Sequence, residues 1–373
     1  MVVIGLLCLA LCGGAIIYPF LLYPLLLRML PERLVLRDGG VDSSSLLFCA
    51  YNESAAMPAK MANLARLKAL NPNLEVLAFD DGSADDTATQ IAARPDVVTL
   101  VQGGGRSGKA RGMKTLAARA TGEVLIFTDA NVTLAEDAVA NILSYYADPS
   151  VGGVLGSLRY VGEGDSATAS VGSLYWRIEE YLKDLESRSG NVMGADGSIF
   201  SIRRELYPEF PDTVLDDLTV SMAVVFAGKR LIKAKDVLAY EGLVAARGDE
   251  YRRKVRISAR AWHTHQYLRP QLRRMALVDR FKYTSRKIVR WFGGVFLIVG
   301  AIAAIGVAWS IDGRLALGLL VLGAVFALIA SRVKSGPIAA LFDILIAYIA
   351  TLQGVIQAMR GRTFAVWNPA KSR

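Results

Sequence analysis

The sequence predicts an α/β domain with a mainly parallel sheet, set between apolar segments long enough to cross a membrane. Three observations lead there. Apolar runs of strand length at Leu46–Cys49, Leu74–Phe79, Val97–Val101 and Val124–Thr128 alternate with helical patterns at Met57–Leu70, Asp85–Ala93 and Lys109–Ala120. Such alternation marks βαβ units, whose successive strands run parallel. Acidic residues stand at the ends of apolar runs in Phe79-Asp80-Asp81-Gly82-Ser83, Phe127-Thr128-Asp129-Ala130-Asn131, Gly194-Ala195-Asp196-Gly197 and Leu215-Asp216-Asp217. Residues 1–27, 291–311 and 315–331 carry no charged side chain at all.

A helix rises about 1.5 Å per residue, so about 20 apolar residues cross the hydrocarbon. Residues 1–28 are therefore expected to form an N-terminal transmembrane helix, with Tyr18, Pro19, Tyr23 and Pro24 suiting a helix end at the membrane. A cleaved signal peptide is the alternative, but no basic stretch precedes the run and no small-residue cleavage site follows it. Residues 43–268 read as a single catalytic α/β domain in which Gly, Asp and Ser punctuate the strand ends, where binding loops belong. Ser173–Ser187 reads as an amphipathic helix carrying Tyr175, Trp176, Glu179, Tyr181, Lys183 and Glu186.

Residues 269–290 form a basic juxtamembrane segment, and transmembrane helices are expected at 291–311 and 315–332. The stretch 337–359 is apolar, yet Asp343, Ala347, Ala350, Gly354 and Gln357 share one helical face. A span, a re-entrant segment and an interfacial helix all fit it. A full crossing would place the basic tail, 360–373, against the positive-inside rule, which favours the interfacial or re-entrant form.

The net charge of +9 is concentrated beside the apolar segments. Arg28, Arg33 and Arg37 follow the first, and Arg269, Arg273, Arg274, Arg280, Lys282, Arg286, Lys287 and Arg290 precede the second. By the positive-inside rule both flanks and the domain between them are cytoplasmic, which makes the chain a multi-pass protein of the inner cell membrane in contact with anionic lipid. A nucleic-acid groove is a poor account of this charge, because the cluster abuts a span and lacks interleaved stacking aromatics. Cys8, Cys12 and Cys49 lack metal-site spacing and read as reduced, packed thiols.

Gly103-Gly104-Gly105-Arg106-Ser107-Gly108-Lys109 imitates a P-loop, but Ala110 stands where that loop needs a hydroxyl on magnesium. The glycines can still turn backbone N–H groups to a phosphate, with Lys109 adding a compact positive charge. Asp80 and Asp81 fit an Asx turn before a helix, and equally a carboxylate gripping a nucleobase or ribose. The carboxylate-x-amide spacing of Asp129 and Asn131 puts two oxygen ligands on one side of a turn, as Mg2+ or Mn2+ bridging a diphosphate requires. Asp216-Asp217 opens the apolar helix Leu218–Phe226. A helix cap explains one acid, whereas a second, desolvated one would have the raised proton affinity of a general base.

Together, Ala50-Tyr51-Asn52-Glu53, Asp80 to Thr87, Gly108-Lys109, Thr128 to Asn131, Gly194 to Gly197 and Leu215 to Asp217 resemble, in order and spacing, the family 2 glycosyltransferases. The resemblance covers about residues 43–260, and the apolar flanks are similar to those of bacterial membrane-bound polysaccharide and glycolipid synthases. It implies the GT-A nucleotide-sugar fold, Rossmann-like, and an inverting transfer. It also implies nucleotide-sugar contacts from Tyr51, Glu53, Asp80, Asp81, Lys109, Asp129 and Ala130, a metal at Asp129 and Asn131, and Asp217 as catalytic base. Asp196, Gly197, Asp216, Arg253 and Arg256 would lie on the acceptor or diphosphate side.

Two departures from the family pattern matter. Asn131 replaces the second Asp of D-x-D, which lowers the charge of the metal site. Arg253-Lys254-Val255-Arg256-Ile257 stands where processive synthases carry Q-x-x-R-W. The expected protein is a metal-dependent glycosyltransferase that takes a UDP-sugar, or alternatively a GDP-sugar, and adds one or a few sugars to a lipid-linked or glycan acceptor. The alternatives are an oligomeric processive synthase and a non-catalytic nucleotide-binding membrane scaffold or sensor.

Overall fold

The computed structural model describes residues 2–37, 39–161, 167–242, 247–333 and 335–362. Residues 363–373 of the basic tail, with Lys371 and Arg373, lie outside them. The sheet consists of β1 Ser44–Ala50, β2 Leu74–Asp80, β3 Thr99–Gln102, β4 Val124–Thr128, β5 Thr133–Leu134, β6 Val151–Val161, β7 Ile199–Arg203 and β8 Arg230–Gly242, in the order β3-β2-β1-β4-β7-β6-β8-β5. Pairings β3–β2, β2–β1, β1–β4 and β6–β8 are parallel. Those of β7 with β4 and β6, and of β5 with β8, are antiparallel.

The helices are α1 Val2–Ile17, α2 Leu22–Arg28, α3 Met57–Leu70, α4 Thr87–Ala92, α5 Lys109–Arg119, α6 Ala138–Ser144, α7 Ala167–Arg188, α8 Asp216–Phe226, α9 Arg247–Leu272, α10 Leu277–Tyr283, α11 Val289–Trp291, α12 Gly293–Ile311, α13 Gly313–Arg332 and α14 Gly336–Met359.

Every residue of β1 and β4 is buried, because helices cover both faces of the sheet. The two-residue period of the strands sorts their side chains. Leu47, Cys49, Leu77, Phe79, Leu125 and Phe127 pack with Met113 and Leu116 of α5. Leu46, Phe48, Val76, Ala78, Val124 and Ile126 pack with Met57, Met61, Leu64 and Leu67 of α3. The register decides where the acids go. Ala50 pairs with Asp80, and Leu47 pairs with Phe127, so Asp80 and Asp129 emerge at one edge of the sheet, where ligands of open α/β sheets bind.

Helices α12, α13 and α14 are long and apolar enough to cross a membrane, and α1 with α2 would make a fourth such segment if taken together. The run expected as one helix over 1–28 is broken: α1 and α2 meet at 54°, and Pro19, which has no N–H to continue the ladder, lies in the gap. Gly5 lets α1 seat on α12, since a Cβ there would come 2.4 Å from Val307. Much of the apolar surface of these helices faces outward, including Ile302, Trp309, Leu317 and Leu322.

Buried ions join α2, α7 and the segment before α12. Glu186 accepts from Tyr23 Oη at 2.6 Å and pairs with Arg286 at 2.6 Å. Arg286 also reaches Glu179 at 3.0 Å, and Glu179 pairs with Arg290. Glu186 is fully buried, and the Arg286 and Arg290 guanidiniums hold Glu179 well below the usual carboxylate range despite its burial, which pulls the other way. Removing one partner of such a pair strands the other charge, at about 3–5 kcal/mol. Glu186→Ala is accordingly expected to lower unfolding stability by about that amount, while pairing it with Arg286→Met recovers most of the loss. Denaturant titration of the detergent-solubilised variants checks this, and equal stability of single and double variants counts against it.

Candidate active site

Lys109, the first residue of α5, lies at the centre of the cluster. Its ammonium is 2.5 Å from Asp129 Oδ1 and 4.0 Å from Asp216 Oδ2. Burial alone would lower the Lys109 ammonium, but Asp129, Asp216 and Asp217 outweigh it and hold the lysine charged well above its ordinary range. Gly197 forms a wall of the same space. A Cβ there would stand 2.7 Å from Lys109 Nζ and 3.4 Å from Asp129 Oδ2, so only glycine lets this backbone come so close. Asp129, Lys109, Gly197, Asp216 and Asp217 thus come together from four separate stretches of the chain.

Asp217 is the acid with the unusual proton affinity. Burial, with the Asp216 carboxylate beside it, pushes its pKa up to about 6, against the lowering pull of Lys109. The loop that leads into Asp217 is fixed from α9. Arg260 donates to Val214 O at 2.8 Å, and Thr264 Oγ1 accepts from Leu215 N at 2.8 Å. Sequence reasoning looked to Arg253 and Arg256 and passed over Arg260, although Arg260-Ala261-Trp262 supplied an arginine near a tryptophan as the signal. Trp262 itself lies against Trp291 and Phe292 at the foot of α12, at centroid distances of 5.9 and 5.7 Å.

The loop Asp129-Ala130-Asn131 is propped from behind by α3. Lys60 Nζ donates to Asp129 O at 3.0 Å and to Val132 O at 2.6 Å, and Asn63 exchanges two hydrogen bonds with Leu134. Burial lowers the Lys60 ammonium to about 7. No sequence signal marked this lysine, which sits in an ordinary amphipathic helix. Ala130 is buried, and Asn131 Nδ2 donates to Glu241 at 2.9 Å.

The second part of the crevice is built by Tyr51, Glu53, Asp80 and Asp81. Both aspartates are engaged within the protein. Asp80 accepts from Ser83 N and Oγ, and Asp81 from Ser107 N, Ser107 Oγ and Gly108 N. The loop N–H groups at Ser107 and Gly108 are thereby turned to a carboxylate. Asn52 has a positive φ of 51° and, with Glu53, hydrogen-bonds to residues 83, 84 and 87, lacing the loops together. The Arg106 guanidinium lies 3.2 Å from the Tyr51 ring centre, a cation–π contact.

Asp196 forms a third group. It pairs with Lys183 of α7 at 2.5 Å and accepts from Ser198. Arg253 faces Tyr160, Glu241 and Glu250, which hold it above its ordinary range although burial opposes them. Arg256 follows about one turn along α9.

Residues 45–210 match the profile of Glycosyl transferase family 2. The chain is similar to this family over that segment, which is less than half of its length. It is 28% identical over 137 residues to an N-acetylglucosaminyltransferase from Rhizobium leguminosarum bv. trifolii, a match spanning 35% of this chain and 74% of that protein. A mannosyltransferase from Pyrobaculum calidifontis, solved in complex with GDP-Man and Mn2+, superposes with a TM-score of 0.75 over 97% of this chain and 99% of that one, at 23% identity. The glycosyltransferase therefore has a GT-A-like fold, and the apolar helices outside the sheet belong to the shared architecture.

The crowding at Gly197 is testable. Gly197→Ala is expected to displace Lys109 from Asp129 and cut kcat/KM for sugar transfer by about tenfold or more, a loss of about 1.4 kcal/mol of transition-state stabilisation. Gly104→Ala, where a Cβ meets nothing within 4 Å, should transfer at the native rate. Native activity in Gly197→Ala would contradict the close approach.

Proposed function

We propose that this glycosyltransferase moves a sugar from a nucleotide-diphospho-sugar to a lipid-linked or glycan hydroxyl at the cytoplasmic membrane face, with inversion at the anomeric carbon. The observation that carries the reading is the convergence of Asp129, Lys109 and a proton-hungry Asp217 at the sheet edge to which the family's donor site belongs. The nucleoside rests against Tyr51, Glu53 and the Asp80–Asp81 turn. Lys109 and Arg253 face the diphosphate, and Asp196, Gly197 and Asp216 border the acceptor. A UDP-sugar is the expected donor, with GDP-sugars as the alternative. Transfer of one or a few sugars is favoured over processive growth, and a screen of UDP- and GDP-sugars for transfer and released diphosphate separates these from a non-catalytic sensor.

A divalent metal fits the residues present. Among the described residues no cluster of three or more His, Cys, Asp or Glu forms a ready-made cage. Mg2+ and Mn2+ need only one or two protein oxygens when substrate phosphates and water complete the shell. Asp129 and the Asn131 amide oxygen would hold the ion, which supplies charge neutralisation for the departing diphosphate. The remaining steps belong to the chain. Asp217 accepts the acceptor's hydroxyl proton as the oxygen attacks C1, and Lys109 offsets the charge on the leaving side. Burial keeps water from competing with the acceptor.

The packing of α14 supports an interfacial placement. Helices α12 and α13 are joined by a tight turn at Asp312, where Ala304 and Ala308 share a groove with Leu315 and Gly318. Tyr348, midway along α14, meets Gly293 at the start of α12, and Gly354 lies on Val255 and Ser258 of α9, so the second half of α14 packs on a helix of the catalytic region. The outward side chains Ile338, Leu341, Ile349, Ile356 and Met359 are apolar, as contact with lipid requires.

Three outcomes check the proposal. The base works only when deprotonated, so kcat/KM should rise with pH through about 6, falling tenfold per pH unit below. Asp217→Asn should retain nucleotide binding yet lose about 100-fold or more in kcat and flatten that acid limb; unimpaired transfer removes Asp217 from the role. For topology, Arg360→Cys in a chain lacking Cys8, Cys12 and Cys49 should be labelled by an impermeant maleimide from the same side as Arg111→Cys. Labelling from opposite sides would mean that α14 crosses.

A further inference from the structure

Position 131 departs from its family by one atom, and the structure places a partner for that departure. Strand β5 pairs with β8 so that Thr133 faces Tyr240 and Leu134 faces Ala239, which carries Glu241 to the level of Val132 and Asn131. Glu241 is 5% exposed, and its Oε1 accepts from Asn131 Nδ2 at 2.9 Å. A carboxylate only accepts, so it takes the amide nitrogen and leaves Oδ1 as the end available to a ligand. On the other side of the loop, Lys60 holds the carbonyls of Asp129 and Val132, which stops the turn from rotating as a whole. The amide therefore has one orientation, set by the network around it.

We propose that Glu241 is a positioning residue for donor binding: it fixes the Asn131 amide so that an oxygen, never a nitrogen, stands beside the Asp129 carboxylate. The same contact explains why this chain carries Asn at 131. A second carboxylate there would meet Glu241 at hydrogen-bonding distance with no proton between them, and like charges so close repel. Glu241 also faces Tyr160 and Arg253, so one buried acid ties the Asp129 loop to α9. The proposal rests on the reading that Asp129 and Asn131 flank the donor's cation. Partners that orient a metal ligand typically change affinity by about 10–100-fold when altered.

The experiment measures Mn2+ binding to the full, detergent-solubilised chain in the presence of UDP or GDP, by loss of the free-ion electron paramagnetic resonance signal. Glu241→Gln offers N–H groups as well as an oxygen, so the Asn131 amide can turn over, and Mn2+ affinity should fall about tenfold. Asn131→Asp alone should also weaken binding. The double variant Asn131→Asp with Glu241→Gln restores complementarity and should bind Mn2+ at least as tightly as the native chain, which a folding defect would not allow. Native affinity in Glu241→Gln, with affinity lost in Asp129→Ala, overturns this proposal alone. Failure of the double variant to recover overturns it as well. A native chain that takes up no Mn2+ with either nucleotide overturns it together with the reading on which it rests.

Discussion

Three carboxylates share one crevice in this protein, and a single ammonium makes that possible. Asp129, Asp216 and Asp217 would repel one another in a partly desolvated space, and at least one would take up a proton merely to relieve the repulsion. Lys109 limits that repulsion and also sorts the acids. It lies 2.5 Å from Asp129 and 4.0 Å from Asp216, while at Asp217 burial and the neighbouring acid prevail over its pull. An ammonium at the first residue of a helix is itself unfavourable, because the helix N-terminus carries partial positive charge. The acids compensate, so neither side of the cluster is stable without the other. The close backbone at Gly197 and the α9 contacts from Arg260 and Thr264 are best understood as what keeps this balance in place.

The parts legible in the sequence are those whose signal is local. Strands β1, β2 and β4 are continuous apolar runs because both their faces are covered, and α3 and α5 follow the helical period between them. Acids after such runs gather at one edge of an open sheet, so the juxtaposition of Asp129, Lys109 and Asp217 could be read in advance. Strands β6 and β8 could not. Gly152, Gly153 and Gly156 dilute the first, and Lys233, Lys235 and Asp236 interrupt the second, whose polar side chains find partners only in the folded chain, as when Lys233 pairs with Asp184 at 2.7 Å. Lys60 and Glu241 were invisible for the same reason. Each acts on a loop far away in sequence, and a lysine or glutamate in an ordinary element announces nothing by itself.

The elements beside the apolar helices are the ones that hold the site. Helix α7 meets Arg286 and Arg290 through Glu179 and Glu186, and through Lys183 it holds Asp196. Helix α9 anchors the loop before Asp217 and gives its other face to Gly354 of α14. Apolar packing would hold these helices together as strongly, but it would leave their sliding register less defined. Buried ion pairs are costly to desolvate and tolerate little displacement, so their use here favours a fixed geometry over added stability. The consequence bears on how acceptor and donor meet. In the proposed reaction, an acceptor arriving from the membrane surface would have to reach Asp129 and Asp217 at the sheet edge. Helices α7 and α9 connect the apolar helices to that edge, and in the proposed reaction the rigidity of those connections would decide whether the acceptor hydroxyl reaches Asp217.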